Sequence, residues 1–134
     1  MKQEHYTSKQ YRELIGHKQS KMRNVKIEVD GRIFDSQKEA NHYCHLKLLK
    51  KQKQIIDFIP QVSFLVHEGY WKGEEWIKPI CYKADFFVIK WDDDPALIDI
   101  VREVHEVKGR WTRTAIDKRK MFEKRYPEYR LVVI

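Results

Sequence analysis

The stretch that most limits the fold runs from Ile55 to Trp91, IIDFIPQVSFLVHEGYWKGEEWIKPICYKADFFVIKW, and resumes after a short acidic loop as IVREVHEVKG. It reads as a meander of β-strands punctuated by turns. Lys72-Gly73 marks one turn, and the polar DDDPALID after Trp91 marks another. A sheet of this kind must bury at least one face, so other elements have to cover it. Two segments suit that task. Ser36 followed by Glu39 is a capping-box pattern, which predicts a helix over SQKEANHYCHLKLLKKQKQ to about residue 53. Thr114 followed by Asp117 predicts a second capped helix through about Tyr126, where Pro127 ends it. The closing RLVVI is a continuous apolar run, as expected of a strand covered on both faces. The expected class is therefore α/β: a sheet with flanking helices, in the order helix, antiparallel strands, helix, strand.

Ahead of this core, KIEVDGRIF predicts a hairpin around Asp30-Gly31, a strong two-residue turn signal. Residues 1–24 form a basic arm expected to pack loosely, with SKQYRELIGHK compatible with a short helix ending near Gly16. Residues 25–134 are expected to form one domain, since a chain of 134 residues can bury a core without staples. Hydrophobic residues make up 42% against 35% charged, which excludes a disordered chain.

Lys and Arg number 27 against 20 Asp and Glu, a formal charge of +7. Such a balance favours a polyanionic partner, nucleic acid before a membrane surface. Cys44 and Cys81 form no CxxC and no disulfide framework, which suits a reducing cytoplasm. No apolar run approaches the length of a spanning helix, and MKQEHYTSKQ lacks the apolar region of a signal peptide. A soluble, cytoplasmic protein is expected.

Chemistry concentrates at HEVKGRW, residues 105–111. Glu106 and Lys108 are two apart in a strand, so they share a face with Val104. They could be a solvated ion pair or half of an active site. Asp85 lies within the apolar run around Phe86, Phe87, Val88 and Ile89, where a carboxylate is costly without compensation. If the two strands pair, Asp85 and Glu106 converge on one cation. Two carboxylates with waters and a phosphate oxygen make a typical Mg²⁺ site. Lys108 would then stand where negative charge develops on an attacked phosphate, or beside the attacking water.

These residues resemble the PD-(D/E)XK nuclease superfamily. Its core motif is matched by Ala84-Asp85, then Glu106-Val107-Lys108, with Glu39 on the preceding helix; Ala84 replaces the proline of the motif. The similarity extends over roughly residues 25–134. Within the superfamily the chain looks most like a phage and prophage family known only as a domain of unknown function, through VDGRIFDSQKEANHY, IPQ, YKADF, EVKG and KRKMFEKRYP. More distantly it is similar to phage endonuclease I, a junction-resolving enzyme, through EVKGRW and the closing helix and strand. The resemblance implies a restriction-endonuclease-like fold and Mg²⁺- or Mn²⁺-dependent hydrolysis of DNA phosphodiesters, in the cytoplasm of a bacterial host. The expected catalytic set is Glu39, Asp85, Glu106 and Lys108, with Asp85 and Glu106 as metal ligands.

Other residues have two readings. Glu39 is either the acidic member of the capping box or a metal or water contact, since Glu39, Tyr43 and Leu46 share a helical stripe. Gln61 follows Pro60 at the start of a strand; the similar phage family has glutamine there, yet an ordinary strand-end amide explains it as well. His42, Cys44 and His45 lack a fourth zinc ligand at a recognised spacing and read as packing and surface residues. Asp92, Asp93 and Asp94 precede Pro95 in a polar loop and read as a solvated turn.

Residues 108–130 carry nine basic residues against three acidic ones. Phosphate contacts are expected from Arg110, Arg113, Lys118, Arg119 and Lys120, because they directly follow the site. Trp111 could stack on a base or cover the core. The leading expectation is a DNA endonuclease, acting as a two-fold homodimer if it severs both strands. The alternative is a binding protein that keeps the fold without catalysis.

Overall fold

The structure is a computed structural model that describes residues 25–107 and 109–134. The basic arm, and with it the short helix expected there, falls outside the described residues, and so does Lys108. Contacts divide the chain after Gln37. In the first unit, β1 (Ile27–Val29) and β2 (Arg32–Phe34) pair antiparallel. Asp30 and Gly31 join them at φ 54° and 74°. Both turn residues sit in the left-handed region that the right-handed twist of a tight hairpin demands.

The second unit starts within α1 (Gln37–Lys51). Glu39 in its first turn and Lys50 and Lys51 in its last complement the helix dipole. The helix stops two residues short of the expected 53 because Lys53 turns left-handed at φ 59°. Lys53 N–H then bonds the Lys50 carbonyl at 3.0 Å and Gln54 N–H that of Leu49 at 2.9 Å. This is a Schellman closure made without glycine.

There follow β3 (Asp57–His67), the hairpin β4 (Tyr70–Lys72) and β5 (Glu75–Ile77), β6 (Ile80–Trp91), β7 (Ile100–Glu106), α2 (Arg113–Arg125) and β8 (Arg130–Val133). The main sheet has the order β3-β6-β7-β8. β3, β6 and β7 are antiparallel neighbours, while β8 runs parallel to β7. A parallel pair needs a crossover, and α2 supplies it. This is the restriction-endonuclease-like mixed α/β arrangement that the sequence predicts. Pro60 fits β3 because β3 is an edge strand, the place in a sheet where proline is accommodated. No helix among the described residues is long and apolar enough to cross a membrane.

Three expectations are corrected. The cap of α2 is Thr112, not Thr114: its Oγ1 accepts from Ala115 N–H at 3.2 Å, and its backbone is extended. Asp117, the expected partner of Thr114, instead meets Arg113 one turn earlier at 3.4 Å. Gln61 lies inside an 11-residue strand rather than at its start. β8 is not covered on both faces: as the last strand of the sheet it leaves Val133 46% exposed. The acidic loop does form a solvated turn. Asp92 Oδ1 accepts from Asp94 N–H at 2.8 Å, and Asp94 Oδ1 from Ala96 N–H at 2.9 Å.

Candidate active site

The site begins at a break in strand alternation. Phe58 and Phe64 would share a face in a regular strand. Yet Phe58 packs on Tyr43 of α1 at 5.7 Å, and Phe64 on Phe122 of α2 at 5.1 Å. The neighbouring strand behaves alike: Tyr82 meets Phe122 at 4.9 Å, whereas Phe86 meets His42 at 5.1 Å. The alternation therefore reverses between Ala84 and Phe86, and opposite them between Pro60 and Val62. Register is continuous across the break, with Pro60 facing Phe86 and Val62 facing Ala84. Gln61 and Asp85 thus lie opposite each other. Gln61 holds φ 57°, a left-handed conformation that costs a non-glycine residue about 1–3 kcal/mol.

Beyond this break β6 and β7 are joined by a side chain. Their ladder runs to Phe86 opposite His105. One step further, in the same register, Asp85 stands against Glu106. There the Asp85 carboxylate accepts from Val107 N–H at 2.7 Å, in the place a strand carbonyl would occupy. Glu106 is 2% exposed. It shares the α2 face with Val104 and accepts a short hydrogen bond from the Tyr82 hydroxyl. Burial, the bond to Glu106 and the nearby charges of Glu106 and Asp85 push the Tyr82 hydroxyl up, while Arg119 pulls it down. Tyr82 is thus in direct contact with Glu106, while Asp85 is bonded to the amide of Val107, the residue that follows Glu106.

Glu39 is half-buried in the first turn of α1. One turn later His42 Nε2 lies 2.9 Å from His105 Nδ1 on β7, immediately before Glu106. His105 Nε2 in turn lies 2.8 Å from Glu103 Oε2, and Lys90 Nζ 2.9 Å from Glu103 Oε1. Glu103 can only accept, so His105 Nε2 carries its hydrogen. In a neutral ring Nδ1 is then the acceptor, and His42 Nε2–H donates to it. Burial works against the charge of Glu103, yet the bonds from Lys90 and His105 outweigh it and hold the carboxyl below its ordinary value. This chain ties the helix carrying Glu39 to the strand carrying Glu106.

The same chain makes stability depend on pH. Burial first, then His105 and His45, hold His42 down at about 4. An unfolded histidine titrates near 6.5. Between these values the unfolded chain binds the extra proton, so stability is full above pH ~6.5 and falls as pH drops towards ~4. His42 is only half-buried, and solvent screening reduces the expected loss to about 1–2 kcal/mol. Urea midpoints should fall from pH 7 to pH 4.5, and His42→Gln should flatten that fall. A wild-type midpoint independent of pH over this range would contradict the assignment.

The expected phosphate contacts divide. Arg113 meets Asp117 at 3.4 Å. Arg119 bonds Glu123 at 2.8 Å and lies over the Trp111 ring at 5.1 Å. Trp111 thus carries a guanidinium on its face. Arg110, Lys118 and Lys120 have no ion pair among the described residues, and Arg110 and Lys120 are exposed. Cys44 and His45 are exposed, while His42 belongs to the buried chain above.

Among the described residues no three His, Cys, Asp or Glu side chains form a metal cluster. The acidic pair Asp85 and Glu106 is a two-carboxylate set, whose hard oxygen donors suit an ion that keeps most of its water. Three residues escaped the sequence reading: Tyr82, His105 and Glu103. Regular alternation from Asp85 places Tyr82 on the opposite face, and only the break at Asp85 reverses this. His105 and Glu103 left one signal, polar residues alternating with valines in a strand otherwise suited to burial.

No curated protein and no solved structure matches the chain. Residues 19–134 match the family described as "Protein of unknown function (DUF1064)", and the chain belongs to that family.

Proposed function

We propose that the protein is a metal-dependent DNA endonuclease of the PD-(D/E)XK type, of phage or prophage origin and acting in the bacterial cytoplasm. The observation that supports this best is the placement of Asp85 and Glu106 opposite each other where β6 and β7 part. Asp85 and Glu106 would hold the ion. Mg²⁺ or Mn²⁺ there supplies Lewis-acid polarisation of a phosphoryl oxygen and a more acidic water. Val107 N–H fixes the Asp85 carboxylate, and Tyr82 fixes that of Glu106. Lys108, placed by sequence directly beyond Val107, would neutralise charge developing on the phosphate. Glu39 would order the attacking water from the first turn of α1. Arg110, Lys118 and Lys120 would follow the phosphate backbone, a contact that orients the substrate without reading its sequence. Cleavage of both strands calls for two such sites, so a two-fold homodimer belongs to the same proposal.

The test is incubation of the full chain with supercoiled plasmid, single-stranded DNA and a four-way junction, in Mg²⁺, in Mn²⁺ and in excess chelator. Cleavage of at least one substrate is expected with metal and none with chelator. Binding to these DNAs without any cleavage in either metal would replace the enzyme by a non-catalytic binding protein.

A further inference from the structure

We propose that Tyr82 is the positioning residue for the Glu106 carboxylate and sets how tightly the acidic pair takes a divalent cation; this rests on the metal-dependent reading above. The contact is direct, phenol hydroxyl to Glu106 Oε2, and lies inside the core. Tyr82 is 4% exposed and Glu106 2%, so the bond is shielded from bulk solvent. The phenol is itself held rigidly. Its ring packs on Phe122 at 4.9 Å, and Phe122 touches Phe64 and Tyr126 at 5.1 and 5.4 Å. Tyr82 stands three residues before Asp85 on β6, while Glu106 comes from β7, so one side chain links the two strands that carry the acidic pair.

A carboxylate rotates freely about its last bond unless something fixes its plane. Here the hydroxyl fixes it before any ion arrives, so less ordering remains for binding to impose. Outer partners of this kind are typically worth 10–100-fold in metal affinity or activity. Mg²⁺ demands near-ideal octahedral geometry. Loss of the hydroxyl should therefore weaken Mg²⁺ more than Mn²⁺.

Tyr82→Phe keeps the ring and its packing and removes only the donor. Tyr126→Phe is the matched control, because its hydroxyl bonds the Leu65 carbonyl at 2.9 Å in the same aromatic cluster and, among the described residues, bonds no carboxylate. Two readouts apply to the full-length protein: Mn²⁺ binding without DNA, by electron paramagnetic resonance, and the Mg²⁺ concentration giving half-maximal cleavage. Tyr82→Phe should raise that Mg²⁺ concentration roughly 10–100-fold and weaken Mn²⁺ binding by less. Tyr126→Phe should change neither. Equal Mn²⁺ and Mg²⁺ dependence in Tyr82→Phe and wild type would overturn the role of Tyr82 alone, as would a lowered melting temperature with metal dependence unchanged. Wild-type protein that neither binds Mn²⁺ nor cuts DNA would overturn the metal-dependent reading and this inference with it.

Discussion

Asp85→Asn is expected to reduce metal-dependent cleavage by more than roughly 100-fold, beyond the loss typical of a residue that only supports a metal ligand. The substitution removes one negative charge and almost no volume. The Asn amide oxygen can still accept from Val107 N–H, so the link between β6 and β7 survives. Melting should remain near wild type, and DNA binding should persist, because the exposed cations are untouched. Plasmid cleavage and a fluorescence-anisotropy titration, run side by side, separate the two effects. An Asn variant that cuts at full rate would remove Asp85 from the chemistry.

The largest expected effect on stability comes from Phe122→Ala. Phe122 is fully buried and packs its ring against Phe64, Tyr82 and Tyr126. Its truncation leaves a cavity that these large, mutually packed rings cannot readily fill. A loss of about 3–5 kcal/mol is expected, a large share of the stability of a domain this size. Trp71→Ala makes the contrast: that ring is 67% exposed, and its loss should cost no more than about 0.5 kcal/mol. Urea unfolding of both variants checks the pair, and equal losses would show that the aromatic cluster around Phe122 is not the main core.

The two helices and the order of strands were legible because their signals are local. Asp30-Gly31 dictates a tight hairpin through its own backbone preferences, whatever surrounds it. Helix existence was equally plain, but the cap of α2 was not. Thr112 and Thr114 are both acceptable caps, and only the path of the chain entering the helix selects Thr112. The edge position of β8 was illegible for a similar reason. RLVVI looks the same whether a sheet continues beyond it or ends there, and its partial exposure follows from where the sheet stops.

The pairing of β6 with β7 was a condition set by the sequence, and the structure meets it. What the sequence determined by itself was the chemical inventory: Asp85 within an apolar strand, Glu106 beside Lys108, and a surplus of cations after them. The tertiary structure decided which side chains surround the acidic pair. Strand periodicity assigns faces on the assumption of an unbroken pleat, and the pleat breaks where Gln61 turns left-handed opposite Asp85. That break carries Tyr82 to the face of Glu106 and leaves Phe86 to α1, where His42, His105 and Glu103 join in a chain. Each of these contacts spans strands or elements distant in sequence, so it depends on register and packing, which no local propensity encodes.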